Sequence, residues 1–347
     1  MRTKKLVATK PLTLLLLAVS LPALAQTNWD VVKTLPIGGQ GSWDYLTVDP
    51  ATHRLFVPRS THTMVIDADS GKTLGDIPGQ KTAHGVAIVP EVGRGFITDG
   101  GGDGAIIIFD LKTYATLGKI AAQPDADGII YDPAIGRVLV VSGDNGVLMS
   151  FKPDIDPTGG KIDTPINLGG KPEFLASDGK GKVYINLEDK NEVAVVDFKA
   201  GKVVARWPVA PGGSPVGMAI DTKTRRLFIG CRKPQKLIVM STDNGKVLSD
   251  LPIGAGVDAT KVDAGQAFAS CRDGSLAVAS ETSPGKFEIV QTVKTPQGAR
   301  TMGIDPTTHR IYLPTAEFEE PKPGATGRPV MKPGTFMIVV VARHAPQ

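Results

Sequence analysis

Five side chains with evident chemical capacity recur at one place in a repeating sequence. Asp44, His84, Asp127, Asp258 and Arg300 each stand five residues before the end of an apolar segment that returns along the chain. The two remaining positions of that series are Pro172 and Val216, and Glu173 lies one residue off register in the fourth copy. Four of the seven positions are charged and a fifth is His, whereas a chain that is 21% charged would place one or two there. Asp and His suit Zn²⁺ or Mn²⁺, and carboxylates with backbone oxygens suit Ca²⁺. A divalent ion held by Asp44, His84, Asp127 and Asp258 could polarise a lactone or ester carbonyl and activate water. The plainer reading is that these residues solvate a water-filled opening and cap turns. With Trp43 beside Asp44, the candidate ligand-binding set is Trp43, Asp44, His84, Asp127, Glu173, Asp258 and Arg300.

The elements that must position them are short strands. Gly and Pro are abundant, 40 and 27 residues, and long helical periodicities are missing. The recurring unit is an apolar strand, an Asp-Pro-like turn, then Arg or Lys opening a second strand. Leu46–Asp49 leads to Arg54 and Leu55–Val57, Ile130–Asp132 to Arg137 and Val138–Val140, and Gly303–Asp305 to Arg310 and Ile311–Leu313. The anchors are Asp49, Val89, Asp132, Ser177, Asp221, Asp263 and Asp305, at intervals of 40, 43, 45, 44, 42 and 42. Seven copies at this period predict an all-β, seven-bladed β-propeller of four-stranded blades. Gly71-Lys72, Gly201-Lys202 and Gly245-Lys246 mark the turn from each third strand to a fourth, where a tight hairpin needs positive φ. The last unit ends after its third strand, Phe336 to Ala342. The segment from Val31 to Pro36 resembles the other fourth strands, so it is expected to complete the C-terminal blade and close the ring.

The second strands Leu55-Phe56-Val57-Pro58, Gly95-Phe96-Ile97-Thr98, Val183-Tyr184-Ile185-Asn186 and Ile311-Tyr312-Leu313-Pro314 resemble the repeats of the YVTN or YncE family of exported bacterial propellers. The resemblance spans residues 26–347. It implies a propeller that binds a ligand or partner on its channel face. One class of members binds single-stranded DNA and related propellers are lactonases, but the repeat motif itself is structural. Asn follows the strand only in the fourth copy, as Asn186.

Other polar groups are expected on the same face. They include Arg59 and His62, Asp99 and Asp103, Asp144 and Asn145, Glu188 and Asp189, and Arg232, Arg272 and Asp273. Asp99-Gly100-Gly101-Gly102-Asp103-Gly104 reads as a hairpin tip, since no Gly-Lys-Ser/Thr follows to make a phosphate loop. An insertion at 317–333, rich in Pro, would overhang this face as a lid or docking arm. Cys231 and Cys271 end the second strands of neighbouring units and leave three alternatives open: a disulfide, two free thiols, or metal ligation.

The first 25 residues read as a cleaved secretory signal. Arg2, Lys4, Lys5 and Lys10 precede an apolar run, and Ala23-Leu24-Ala25 offers the cleavage site. The expected product, 26–347, is one propeller domain in the periplasm or outside the cell, without a membrane span and monomeric. The whole chain has 39 basic and 35 acidic residues. Without the four basic residues of the leader the two are equal, which removes global basicity as an argument for nucleic acid. The leading expectation is thus a binding or scaffold propeller. A metal-dependent hydrolase of lactonase type, with Asp44, His84, Asp127, Glu173 and Asp258 as ligands, is the alternative. Single-stranded DNA binding comes last, because it needs aromatic platforms and Trp43, Arg59, Arg232, Arg272 and Arg300 would have to cluster.

Overall fold

A computed structural model of the protein describes residues 28–320 and 329–344. The expected leader and part of the 317–333 insertion lie outside the described residues. Apart from one 3-10 turn at Pro90–Val92, the described secondary structure is β. No helix among the described residues is long and apolar enough to cross a membrane.

The strands form five four-stranded antiparallel sheets and one of seven. The seven-stranded sheet arises because Thr73–Val89 runs on for 17 residues without a break. Its first part pairs with Ser60–Asp67 and its last part with Arg94–Asp99, so one strand serves as the fourth of one repeat and the first of the next. All seven anchors end the first strand of their unit as expected. In the fourth copy Asp178, one residue beyond Ser177, adds the carboxylate of the turn. Its N–H donates to the Lys182 carbonyl at 3.1 Å, and its carboxylate accepts from the N–H groups of Lys180 and Lys182.

The turns show why Asp recurs there. Asp132 and Asp305 accept backbone N–H groups two and three residues on, at 2.8 to 3.3 Å. This fixes the turn before the chain reverses. The residue ahead of the basic one then takes positive φ, at Gly136 but also at His53, Arg225 and His309.

Between sheets the core is apolar and aromatic. Phe56 meets Phe109, Phe96 meets Phe151 and Phe228 meets Phe287, each pair bridging adjacent units with ring centroids 5.2 to 5.7 Å apart. The chain's two ends share one sheet, since Trp29–Pro36 pairs antiparallel with Met337–Arg343. Trp29 locks this sheet to its neighbour. Its indole packs edge-on to Phe268 at 4.9 Å, its Nε1 donates to Gln266 at 2.9 Å, and Gln291 bonds both its N–H and its carbonyl. Replacing Trp29 with Ala is expected to cost about 3–5 kcal/mol, read as a lower urea midpoint. A midpoint unchanged from wild type would show that the terminal strand adds nothing to stability.

Candidate functional site at the channel mouth

Five first strands are built with the same irregularity. In each, two residues oppose one on the second strand: His84 and Gly85 lie between the Ala83–Asp99 and Val86–Ile97 pairs. Asp127 and Gly128, Glu173 and Phe174, and Val216 and Gly217 stand in the same relation to their sheets. Asp258 is the extra residue between Val257 and Ala259. Such bulges bend a strand and re-aim a side chain. They carry the candidate residues of five units to one level, and they explain the fourth: Pro172 is still paired with Leu187, so Glu173 occupies the bulge. Only Val216 is apolar, and it is buried.

The residue opposite the bulge ties it to the next sheet. Thr98 accepts from the Gly85 N–H and donates to the Asp127 carbonyl, both at 2.8 Å. Asn186 donates to the Val216 carbonyl at 2.9 Å, and Ser270 to that of Arg300 at 2.6 Å. Each acceptor belongs to a residue of the candidate series. The fourth letter of the second-strand motif therefore positions the site of the adjoining unit, a role sequence reasoning missed.

The side chains form a polar circuit. His84 Nδ1 lies 2.8 Å from Asp44 and 3.7 Å from Asp127. Asp44 lies 3.6 Å from Arg300, which also pairs with Asp258 and donates to the Trp43 carbonyl at 2.9 Å. Asp258 pairs with Arg232, and Arg232 lies 3.4 Å from Glu188. Glu188 shares a hydrogen bond with Glu173. Arg232 and Glu188 come from the second-strand ends and complete what the first strands begin.

Five carboxyls, Asp44, Asp127, Glu173, Glu188 and Asp258, thus face two guanidiniums and one imidazole. The imbalance shows in their protonation. Burial pushes Glu173 up, and its bond to Glu188 and the charge of Asp127 add to the rise. Burial also raises Asp127 against the pull of His84, with Asp44, Asp125 and Asp258 reinforcing the rise. For His84, burial opposes the charged ring. The Asp44 hydrogen bond and the charges of Asp127, Asp44 and Asp125 outweigh it and lift the imidazole to about 9. Below the circuit, the Tyr45 and Phe174 rings pack tilted at 50° with centroids 4.7 Å apart, and Lys261 sits 5.2 Å over Phe174. A cavity of about 270 Å³ opens beside them.

Several expected contributors lie elsewhere. Arg59 is fully buried; it donates to the Gly38 and Gly41 carbonyls and stacks 3.6 Å over Phe336. It is a core residue and cannot join Arg232 and Arg300 in a basic patch, which removes one of the groups a DNA-binding cluster required. Asp99 is also buried, its Oδ1 accepting the N–H groups of Lys81, Thr82 and Gly101, so it organises the glycine hairpin from beneath. Cys231 and Cys271 are buried free thiols in different apolar clusters, and burial pushes each up to about 12.

The architecture is that of a β-propeller. A chain of the Kuenenia stuttgartiensis hydrazine synthase shares it with a TM-score of 0.68 and 14% identity, over 80% of this chain and 92% of that one. A chain of the mitotic checkpoint complex gives 0.71 and 12%, over 86% and 96%. The WD40 β-propeller domain of Doa1 gives 0.69 and 13%, over 91% and 97%. At these identities the likeness is one of fold. No family model matches the chain, and no curated protein matches it.

The raised carboxyls have a consequence for stability. Each of Glu173 and Asp127 has a folded value above its unfolded one, so its contribution is complete in acid and is lost as pH rises through the folded value. The His84 contribution is complete below about 6.5 and lost through about 9. The melting temperature is therefore expected to fall between about pH 5 and about pH 9, and Glu173→Gln to flatten that fall by about 2 °C or more. A variant whose melting temperature follows the wild-type slope would show that Glu173 carries no extra proton.

Proposed function

We propose that the protein is an exported binding propeller that takes a ligand or partner over the polar circuit at its channel mouth. The observation that carries this is the circuit itself: residues from 44 to 300 converge on one opening with more carboxyl groups than cations to pair them. Desolvating so many charges costs stability rather than adding to it. Perturbed carboxyls gathered in a concave opening are candidates for a functional site. We read the architecture as seven blades, because the six sheets contain seven repeats and one strand is shared. The pairing of Trp29–Pro36 with Met337–Arg343 supports a ring closed by the N-terminal strand. The second-strand motifs support membership of the YncE-like class, and the basic, apolar N-terminus supports export and a monomeric life in the periplasm or outside the cell.

One geometric observation favours a second reading. Asp44, His84 and Asp127 each offer an atom within 4.8 Å of the others, and a buried Asp127 oxygen lacks a hydrogen-bond partner. A carboxylate–imidazole–carboxylate set suits Zn²⁺ or Mn²⁺ better than Ca²⁺, which prefers oxygen alone. An ion there would displace the His84 and Asp127 protons. It would also give the site a Lewis acid for lactone or ester hydrolysis.

Both readings are tested on residues 26–347 purified without chelator. Immobilised wild type is expected to retain a component of a periplasmic extract that Asp127→Asn releases. Equal retention by both would take the circuit out of the binding site. On the same preparation, about one Zn²⁺ or Mn²⁺ per chain, lost in Asp127→Asn and stabilising by about 3 kcal/mol at a hundredfold excess over Kd, would advance the hydrolase reading. A metal-free wild type that Zn²⁺ and Mn²⁺ do not stabilise would end it.

A further inference from the structure

Lys261 is the one charged residue of another series. The position two before each anchor is otherwise Thr47, Ala87, Ile130, Leu175, Ala219 and Gly303. Lys261 lies three residues beyond Asp258 on the same strand, Val257–Asp263, and so further from the mouth. Among the described residues no group hydrogen-bonds its amine and no carboxylate pairs with it; it sits 5.2 Å over the Phe174 ring. Asp263 is two residues on, but its Oδ2 lies 2.7 Å from His309 Nδ1. Burial lowers the titration of the amine, and no charged neighbour offsets that effect.

Cavities open on both sides of this side chain. One is the space of about 270 Å³ beside the aromatic pair, where Leu46, Ile88, Ile129 and Phe174 give apolar walls. The other, of about 290 Å³, is lined by Val48, Ile304, Pro306 and Asp263. Asp263 and Pro306 belong to the turns at the ends of the first strands away from the circuit. Lys261, Leu46 and Thr47 line both spaces, so the amine stands where the two meet. Its partial exposure agrees with this: the side chain is walled in by the protein yet opens into a cavity. An unpaired amine among apolar walls costs stability. A residue kept only to fill the channel would be uncharged, as its six counterparts are. Desolvation also favours the neutral amine, whose lone pair is the nucleophile.

We infer that Lys261 captures small aldehydes with an apolar body, which lodges in these cavities while the carbonyl carbon is bound covalently as an imine. The Nζ lone pair adds to the carbonyl carbon and gives a carbinolamine. The carbonyl oxygen then leaves as water with the two hydrogens of the amine, and a C=N bond replaces C=O. The step consumes no oxidant or reductant, and water reverses it. Lysines desolvated in this way are the ones suited to Schiff-base chemistry. Cavities of this size, apolar with a few polar groups, are the usual form of small-ligand sites.

The probe is hexanal, offered at one equivalent to residues 26–347 at pH 7 with sodium cyanoborohydride, which reduces an imine to a stable secondary amine. Peptide mass mapping then reads which lysines carry the hexyl group. Lys261 is expected to carry it at least about tenfold more than any other lysine, since each unit by which an amine's pKa falls raises its neutral fraction about tenfold. Lys261→Arg keeps a cation that does not form the imine under these conditions; it should lose that label and leave the slow labelling of other lysines unchanged. The mapping is made on the wild type, so the result does not depend on a variant folding. A Lys261 labelled no faster than exposed lysines such as Lys72 and Lys199 would overturn the inference. So would a Lys261 that stays unlabelled in the native protein and reacts only in urea, which would show that the cavities are closed to the aldehyde. Neither failure bears on the circuit, whose reading stands or falls on retention from the extract.

Discussion

The two-against-one bulge in the first strand is the constraint on which the rest of the site depends. A regular strand would alternate its side chains between the two faces of its sheet and present nothing special at its end. The extra residue breaks that alternation at the same height in five units. The broken ladder leaves backbone groups that need partners. Thr98 and Ser270 provide them from the opposite strand, and these two and Asn186 each reach on to a carbonyl of the next unit. The irregularity that aims one side chain is thereby coupled to the placement of its neighbour. Where the opposing residue is Gly230 or Val141 no side-chain bond of this kind is possible, and the bulged residue of the unit with Gly230 is Val216, outside the circuit.

Electrostatics then acts on a geometry already set. Arg300 is the hinge of the circuit because it touches both halves: Asp44 on the imidazole side and Asp258 on the Arg232 side. Its charge is held above the ordinary guanidinium range: burial works against it, and Asp258 and Asp44 outweigh burial. The same carboxylates raise Tyr45 further than burial alone, so the phenol beneath them stays neutral and keeps its proton to donate. On the far side of the aromatic pair Lys261 feels burial without a carboxylate beside it, and its value falls. Charge is thus partitioned along the axis, with acids and their cations at the mouth and an amine in the apolar channel below.

Much of this was legible in the sequence. Asp-Pro turns repeat because each carboxylate caps its own turn, a local interaction that leaves a local signature. The candidate series was legible for the same reason, as a fixed offset from that turn. The offset failed at Glu173, because the fourth first strand ends at Ser177, one residue sooner after its bulge than the others. Arg59 failed differently: nothing in its neighbours announces that the carbonyls of Gly38 and Gly41, some twenty positions earlier, will accept its hydrogen bonds. Arg232 and Glu188 were visible as polar strand ends, but their pairing with Asp258 and Glu173 depends on which unit follows which around the axis. The inter-sheet role of Thr98, Asn186 and Ser270 was present in the motif as a polar fourth letter and became readable only with the bulge opposite it.

The aromatic pair beneath the circuit bears on how any ligand must behave. Tyr45 and Phe174 come from units on opposite sides of the repeat order, and their contact lies across the axis directly under Asp258 and Glu173. Phe174 is itself a bulge residue, the partner of Glu173, so the irregularity that lifts one side chain to the mouth also lowers the next into the channel. Val216 and Gly217 show the converse. With no side chain on Gly217, its Cα can sit against Thr260, where a Cβ would stand 2.8 Å from the hydroxyl. On the proposed reading, a ligand over the circuit would have this aromatic pair beneath it. It would meet the carboxyls and the two guanidiniums directly, and the Lys261 amine only through its field.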